Sequence, residues 1–176
     1  MTLKGDKIYL RALEPEDLDF IHSIENDEAI WELSHTQAPY SKYILKQYLE
    51  QSHKDIYEVK QLRLVISDYN DKPLGLIDIF DFDFKNKRAG VGIVIKEEKN
   101  KGKGIGKAAL TLLIDYSFKT LHLHQLYCNV SESNKASMKL FKGLGFQIVG
   151  LKKDWTYTNK KFENEYLLQL ITTDVH

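Results

Sequence analysis

The sequence predicts an α+β fold built on a mixed sheet, on three observations. Between residues 62 and 95, three apolar, β-branched runs are separated by short polar turns, the pattern of an antiparallel meander. Segments with helical spacing lie on both sides of that meander. No Pro/Gly/Ser-rich linker, repeat or low-complexity tract interrupts the 176 residues, so 1–176 reads as a single domain.

Taken in order, residues 7–11 (KIYLR) alternate as a short strand. Pro15, with Glu14, Glu16 and Asp17 around it, starts a helix carrying Leu18, Ile21 and Ile24 on one face. Ser41 is placed to cap a second helix with Ile44, Leu45, Tyr48 and Leu49. The meander strands are 62–69, 74–82 and 89–95, joined by the turns at 70–73 and 85–88. Ile105, Ala108, Ala109, Leu112, Leu113 and Tyr116 mark one face of a helix over 105–118. A strand at 126–130 and a helix at 134–144, stopped by Gly145, come next. Three short strands at 146–149, 155–158 and 166–172 end the chain, with a polar turn at 159–161.

Lys plus Arg and Asp plus Glu both number 25, a balance that argues against a broad nucleic-acid or membrane-surface role. Cys128 stands alone, which excludes a disulfide framework and a thiolate metal cluster. His122 and His124 form an H-x-H pair without the further ligands a metal needs, and Cys128 in its apolar alternation reads as core. No apolar run has signal-peptide or membrane-span length. The expectation is a soluble cytoplasmic protein with no metal, nucleic-acid or membrane partner.

The chemistry concentrates in KGKGIGK, residues 101–107. Glycines let a backbone turn its N–H groups toward one point, and a following helix N-terminus adds positive partial charge. Lys101, Lys103 and Lys107 add full charges. The combination fits a phosphate group. The spacing fails the ATP/GTP P-loop, because three residues rather than four separate Gly102 from Gly106 and Ala108 follows Lys107 where a hydroxyl is required. It also fails the dinucleotide fingerprint, since the glycines run G-x-G-x-G. A plain glycine-lysine turn is the competing reading.

Residues 101–106 do match the pyrophosphate loop of the GNAT superfamily of N-acetyltransferases, Gln/Arg-x-x-Gly-x-Gly/Ala, with lysine at its first position. Asn134-Lys135-Ala136-Ser137 and the following Leu140 to Phe146 resemble the family's later segment, in order and separation. IYLRALEPEDL, GLIDIFDFD, DYSFKTLHLHQLYCNV and the tail from Gly150 resemble the spermidine and ribosomal-protein acetyltransferase branch over nearly the whole chain.

The resemblance implies a mostly antiparallel twisted sheet with splayed central strands, flanked by helices. It implies direct transfer of acetyl from acetyl-CoA, the co-substrate, to an amine. Lys101, Gly102, Lys103, Gly104, Ile105, Gly106 and Lys107 would hold the pyrophosphate. Val94, Ile95 and Lys96 would bond the pantetheine arm, and one of their N–H groups would polarise the thioester carbonyl. Asn134, Ser137 and Lys142 join the coenzyme set. Asp81 and Asp83, placed on one face by strand alternation with Asp78 on the other, are the candidates to draw in and deprotonate a cationic amine. Their plainer reading is as solvated charges. Phe141 stands where the polyamine branch has an acid tyrosine, which leaves Ser137 to hydrogen-bond the departing thiolate.

Three functional expectations follow. The acceptor is a small amine such as spermidine or a diamine, suited to the acids at Glu25, Asp27, Glu28, Glu32, Asp81 and Asp83. Alternatively it is a protein or peptide N-terminal amine, or the chain is a non-catalytic acyl-CoA-binding module. Assembly as a homodimer or higher homo-oligomer is the branch's habit.

Overall fold

The computed structural model describes residues 3–34, 38–96 and 102–173. Its strands are β1 (Ile8–Arg11), β2 (Leu62–Asp68), β3 (Pro73–Asp83), β4 (Arg88–Ile95), β5 (Gln125–Ser131), β6 (Gln147–Thr158) and β7 (Lys161–Ile171). The helices are α1 (Leu18–Glu25), α2 (Glu28–Ser34), α3 (Lys42–Glu50), α4 (Ile56–Val59), α5 (Ile105–Lys119) and α6 (Lys135–Gly143). The strands form one sheet in the order β1-β2-β3-β4-β5-β7-β6. Every pairing is antiparallel except β4 with β5.

Alternation along the strands sends successive side chains to two cores. Val65 and Leu76 join Leu13, Ile21, Ile24, Ile30, Leu45 and Leu49 on the side of α1 and α3, called here the front. Leu64, Ile66, Ile77, Ile79 and Val91 join Ala109, Leu110, Leu113 and Phe141 on the rear, under α5 and α6. Complete burial of Ile21, Ile77 or Ile79 contributes about 2 kcal/mol each.

Local chemistry sets the element boundaries. Asp17 accepts from the Glu14 N–H at 2.9 Å and from both Arg11 Nη atoms at 2.7 and 2.9 Å, tying the entry of α1 to β1. Ser41 Oγ accepts from the Ile44 N–H at 3.2 Å and caps α3 as expected. The buried stripe of α5 is Ala109, Leu110, Leu113 and Ser117, so the expected face is turned by about one residue, with Ile105, Ala108, Leu112 and Tyr116 on its flank.

Two differences from the sequence reading have physical causes. The strands expected at 146–149 and 155–158 are one strand, β6, because a register irregularity between Lys152 and Thr156 carries it past the polar stretch Lys152-Lys153-Asp154. The helices α2 and α4 went unpredicted, being seven and four residues long and too short for a clear period. No helix among the described residues is long and apolar enough to cross a membrane.

Candidate active site

The sheet opens at its centre. β4 pairs with β5 only through Arg88–Gln125, Ala89–Leu126 and Gly90–Tyr127. Beyond them β4 continues to Ile95 and β5 to Ser131 without pairing to each other. The Lys96 N–H donates to the Leu74 carbonyl at 3.0 Å. Bonding direction alternates along an antiparallel pair, so Val94 and Lys96 address β3 while Ile93 and Ile95 turn their peptide groups into the gap. Of the expected trio Val94, Ile95 and Lys96, only Ile95 therefore presents its N–H to the opening. Ile93 is the residue the sequence reading missed, and the direction of bonding needed the register to be known.

The glycine loop leads into α5 beside this gap. Gly102 and Gly104 have φ of +73° and +80°, the left-handed region, and a Cβ on either would meet nothing within 4 Å. Their glycines answer to backbone shape rather than crowding. Gly104 caps α5 without a side-chain hydrogen bond, leaving first-turn N–H groups outward, while Lys103 and Lys107 are exposed on either side. Gly106 sits 3.8 Å from Ile93 Cδ1 and 3.3 Å from Leu140 Cδ2, measured from its would-be Cβ, which brings α5, β4 and α6 together. Lys101 lies outside the described residues. The positive-φ glycines, outward N–H groups and flanking lysines fit a pyrophosphate, and the unpaired edge of β4 fits an amide-bearing arm.

The opposite wall belongs to α6. Asn134 caps it, its Oδ1 accepting from the Ser137 N–H at 3.1 Å, and it lines the cleft. Ser137 and Phe141 follow on the same helix face and line the cleft with Asn134. Phe141 is 4% exposed and packs edge-on against Phe146 at 5.1 Å, an apolar ring without a proton to give. Lys142 is exposed in the last turn of α6 and does not line this cleft.

On the front of the sheet the cleft, about 420 Å³, is walled by charge. Arg63 lies opposite Asp78, which lies opposite Gly92. Arg63 Nε and Nη2 donate to the two Asp78 oxygens at 2.7 and 3.0 Å, and Nη1 donates to Glu25 Oε1 at 2.8 Å. Burial works against the guanidinium charge, but Asp78, Tyr48 and Glu25 together outweigh it and hold Arg63 above its ordinary pKa. Across the gap, Glu165 is buried against the Lys152 ammonium at 2.5 Å, and Lys152 also donates to Asn129 Oδ1 at 3.0 Å. Glu25, Arg63, Asp78 and Glu165 all line the cleft. The sequence reading passes over Arg63 and sets Asp78 aside; the signal available is a charge inside an apolar strand, which demands a partner.

Asp81 and Asp83 do not line this cleft. Strand alternation fails between Phe80 and Asp83, where the register shifts and Asp81 takes φ +48°. The same irregularity lets Phe82 enter the core at 1% exposure. Asp81 and Asp83 line a separate open depression of about 600 Å³ with Lys60, Arg88 and Tyr127. There Asp81 accepts from the Tyr127 hydroxyl at 3.1 Å, and Asp83 is held by Asn86 and Arg88. Burial, then the Asp81 carboxylate, pushes the Tyr127 phenol up to about 12. The Phe80 ring lies over Gly90, whose Cβ would fall 2.3 Å from it, and meets Tyr127 edge-on at 5.8 Å. This pair stands between depression and cleft. Cys128 is buried, and burial raises its thiol to about 12, which fits the core position expected of it.

Residues 7–147 match the acetyltransferase (GNAT) domain. The spermidine N(1)-acetyltransferase of Vibrio cholerae is 28% identical over 168 residues, 94% of this chain and 95% of that protein. The ribosomal protein uS5-alanine N-acetyltransferase of Escherichia coli is 35% identical over 66 residues, 38% of this chain and 34% of that one. The crystal structure of the Vibrio cholerae spermidine N-acetyltransferase with CoA and spermine matches with a TM-score of 0.86 at 24% identity, covering 95% of this chain and 96% of that one. At that identity the likeness is one of fold.

Proposed function

The chain belongs to the GNAT acetyltransferase family, acetyl-CoA-dependent N-acetyltransferases, and on that premise we propose that it acetylates a small cationic amine of the diamine or polyamine class. The observation that carries this reading is the front of the cleft, where Glu25, Asp78 and Glu165 gather beside the opening of β4 from β5. A cationic acceptor is drawn to such a surface, and it meets the coenzyme's acyl end where the strands part. The 28% identity to a spermidine acetyltransferase supports the same class.

In this reading the N–H groups of Gly104 to Lys107 and the lysines beside them hold the pyrophosphate. The edges of Ile93 and Ile95 hold the pantetheine arm by adding hydrogen bonds to a strand that lacks a neighbour, with Asn134 on the far side. One of the two isoleucine N–H groups polarises the thioester carbonyl. The amine attacks with its lone pair, so its ammonium proton first leaves to water held by the cleft carboxylates. Ser137, facing the cleft one turn from Phe141, stabilises the leaving thiolate by hydrogen bond. The exposed edge of β6, which carries Ile148, Val149, Leu151 and Trp155, suits pairing with a second copy.

Ser137 without a tyrosine at position 141 suits a second acceptor, a peptide N-terminal amine, as the resemblance to the ribosomal-protein branch implies. An α-amine has a pKa near 7.7–8.0 against about 10.4 for a lysine-type amine, so it needs less help to lose its proton. The local identity to the uS5-alanine enzyme runs the same way.

Thiol release from acetyl-CoA decides between them, measured with spermidine, spermine, putrescine and short peptides with free N-termini. Saturable turnover on the polyamines is the expected result. Turnover on the peptides alone replaces the first reading with the second.

A further inference from the structure

Within the cleft, Arg63 has an unusual position. It is a guanidinium in the surface that is to receive a cation, with only 20% of its side chain exposed. It spends three N–H groups on Asp78 and Glu25, and its charge lies 5.9 Å from the Tyr48 ring. Glu25 is itself misplaced by local rules, being the last residue of α1, where the helix dipole repels a carboxylate. Arg63 supplies what holds it there. Both departures from local preference meet at one contact beside the reacting face, the pattern expected where function overrides stability.

The arithmetic of the contact is simple. Two carboxylates, Glu25 and Asp78, stand against one guanidinium and leave a single negative charge. Glu25 Oε1 is taken by Arg63, while Oε2 accepts no hydrogen bond among the described residues. Asp78 is the direct cross-strand neighbour of Gly92, and Arg63 lies one strand further out. Strands are about 4.8 Å apart, so the group lies between one and two spacings, about 5–10 Å, from the bare face of β4. Gly92 carries no side chain to block that path, and Ile24, Ile30 and Phe80 line the same cleft with apolar surface.

We propose that Arg63 is a specificity-determining positioning residue: it holds Glu25 and Asp78 as a cradle for one ammonium group, set a short methylene chain away from the amine that reacts. This rests on the amine-acceptor reading above and narrows it. The cradle selects a second cation on the acceptor. It gains little from a third, because Arg63 has already cancelled one of the two carboxylates. Lysine in its place keeps the charge but loses the fork that fixes both carboxylates at once.

The test compares kcat/KM for putrescine, spermidine and butylamine in wild type, Glu25→Gln, Glu25→Asp and Arg63→Lys. Coenzyme A affinity by calorimetry and a melting curve check that each variant is folded. Wild type is expected to favour putrescine over butylamine by at least about tenfold, the worth of one charged hydrogen bond, with spermidine close to putrescine. Glu25→Gln brings putrescine down to butylamine through KM, with kcat held, and Glu25→Asp restores part of the preference. Arg63→Lys lowers the preference without abolishing turnover. A Glu25→Gln enzyme that slows on both amines alike, or keeps the wild-type ratio, overturns the cradle and leaves the amine reading intact. Wild type that binds coenzyme A and acetylates none of the three overturns both.

Discussion

The two halves of the cleft are made of different material. The half proposed for the coenzyme is built from backbone: the helix start at Gly104, the glycine turns before it, and the unpaired edge of β4 at Ile93 and Ile95. The half proposed for the acceptor is built from side chains drawn from α1, β2, β3 and β7, namely Glu25, Arg63, Asp78 and Glu165. A backbone site is fixed by conformation and tolerates exchange of most neighbouring side chains. A side-chain site stands or falls with each charge and with the frame that aims it.

The largest expected effect tests that frame. Asp17 is 5% exposed and joins Arg11 to the start of the helix whose last residue is Glu25. Asp17→Asn is expected to cost about 3 kcal/mol of stability in urea unfolding, the usual result of breaking a buried pair. Acceptor KM should rise while coenzyme affinity holds. The effect has a pH signature. Burial pushes the Asp17 carboxyl up, but Arg11 and the Glu14 N–H outweigh burial and hold it below the usual range. A depressed native pKa stabilises the fold above the unfolded value near 3.9, and the contribution fades as pH falls through the native value. The gap between wild type and Asp17→Asn is therefore full at neutral pH and closes below about pH 4. A gap that persists there assigns the loss to packing instead.

The converse variant is Gly104→Val. A β-branched residue at φ +80° costs roughly 1–3 kcal/mol and turns the first N–H groups of α5 away. Coenzyme A affinity should fall about tenfold or more by calorimetry, with acceptor KM at saturating coenzyme unchanged. Unaltered affinity would mean that the loop holds nothing.

Phe141→Tyr probes the seam between the halves. A hydroxyl on this cleft-lining ring supplies a proton to the thiolate, so kcat on the best amine should rise about tenfold, the low end of what an acid contributes. A rate unmoved by the hydroxyl assigns the limiting step elsewhere. The smallest effect is expected at Cys128, whose burial and raised thiol pKa should leave it unreactive to Ellman's reagent until the protein is unfolded.

The same division explains what the sequence made legible. The meander and the glycine-headed helix depend on local spacing, and 62–69, 74–82 and 89–95 fall on β2, β3 and β4 within a residue or two. The glycine loop proposed for the coenzyme is contiguous, so its pattern can be read from the sequence. The acceptor side chains lie as far apart as residues 25 and 165, and only the register that sets Arg63 against Asp78 and Gly92 assembles them. Asp81 and Asp83 fall outside the cleft, in the neighbouring depression, because alternation presumes a regular strand and β3 bulges after Phe80.

The gap after Gly90–Tyr127 has one more consequence. An unpaired strand edge inside a sheet is a missing strand, and in the proposed reading the pantetheine arm is the piece that completes it. Without coenzyme, that edge of β4 keeps its backbone groups unpaired toward β5. The enzyme's substrate doubles as a chaperone of its own fold: saturation with coenzyme at a hundred times its Kd adds about 2.7 kcal/mol to stability.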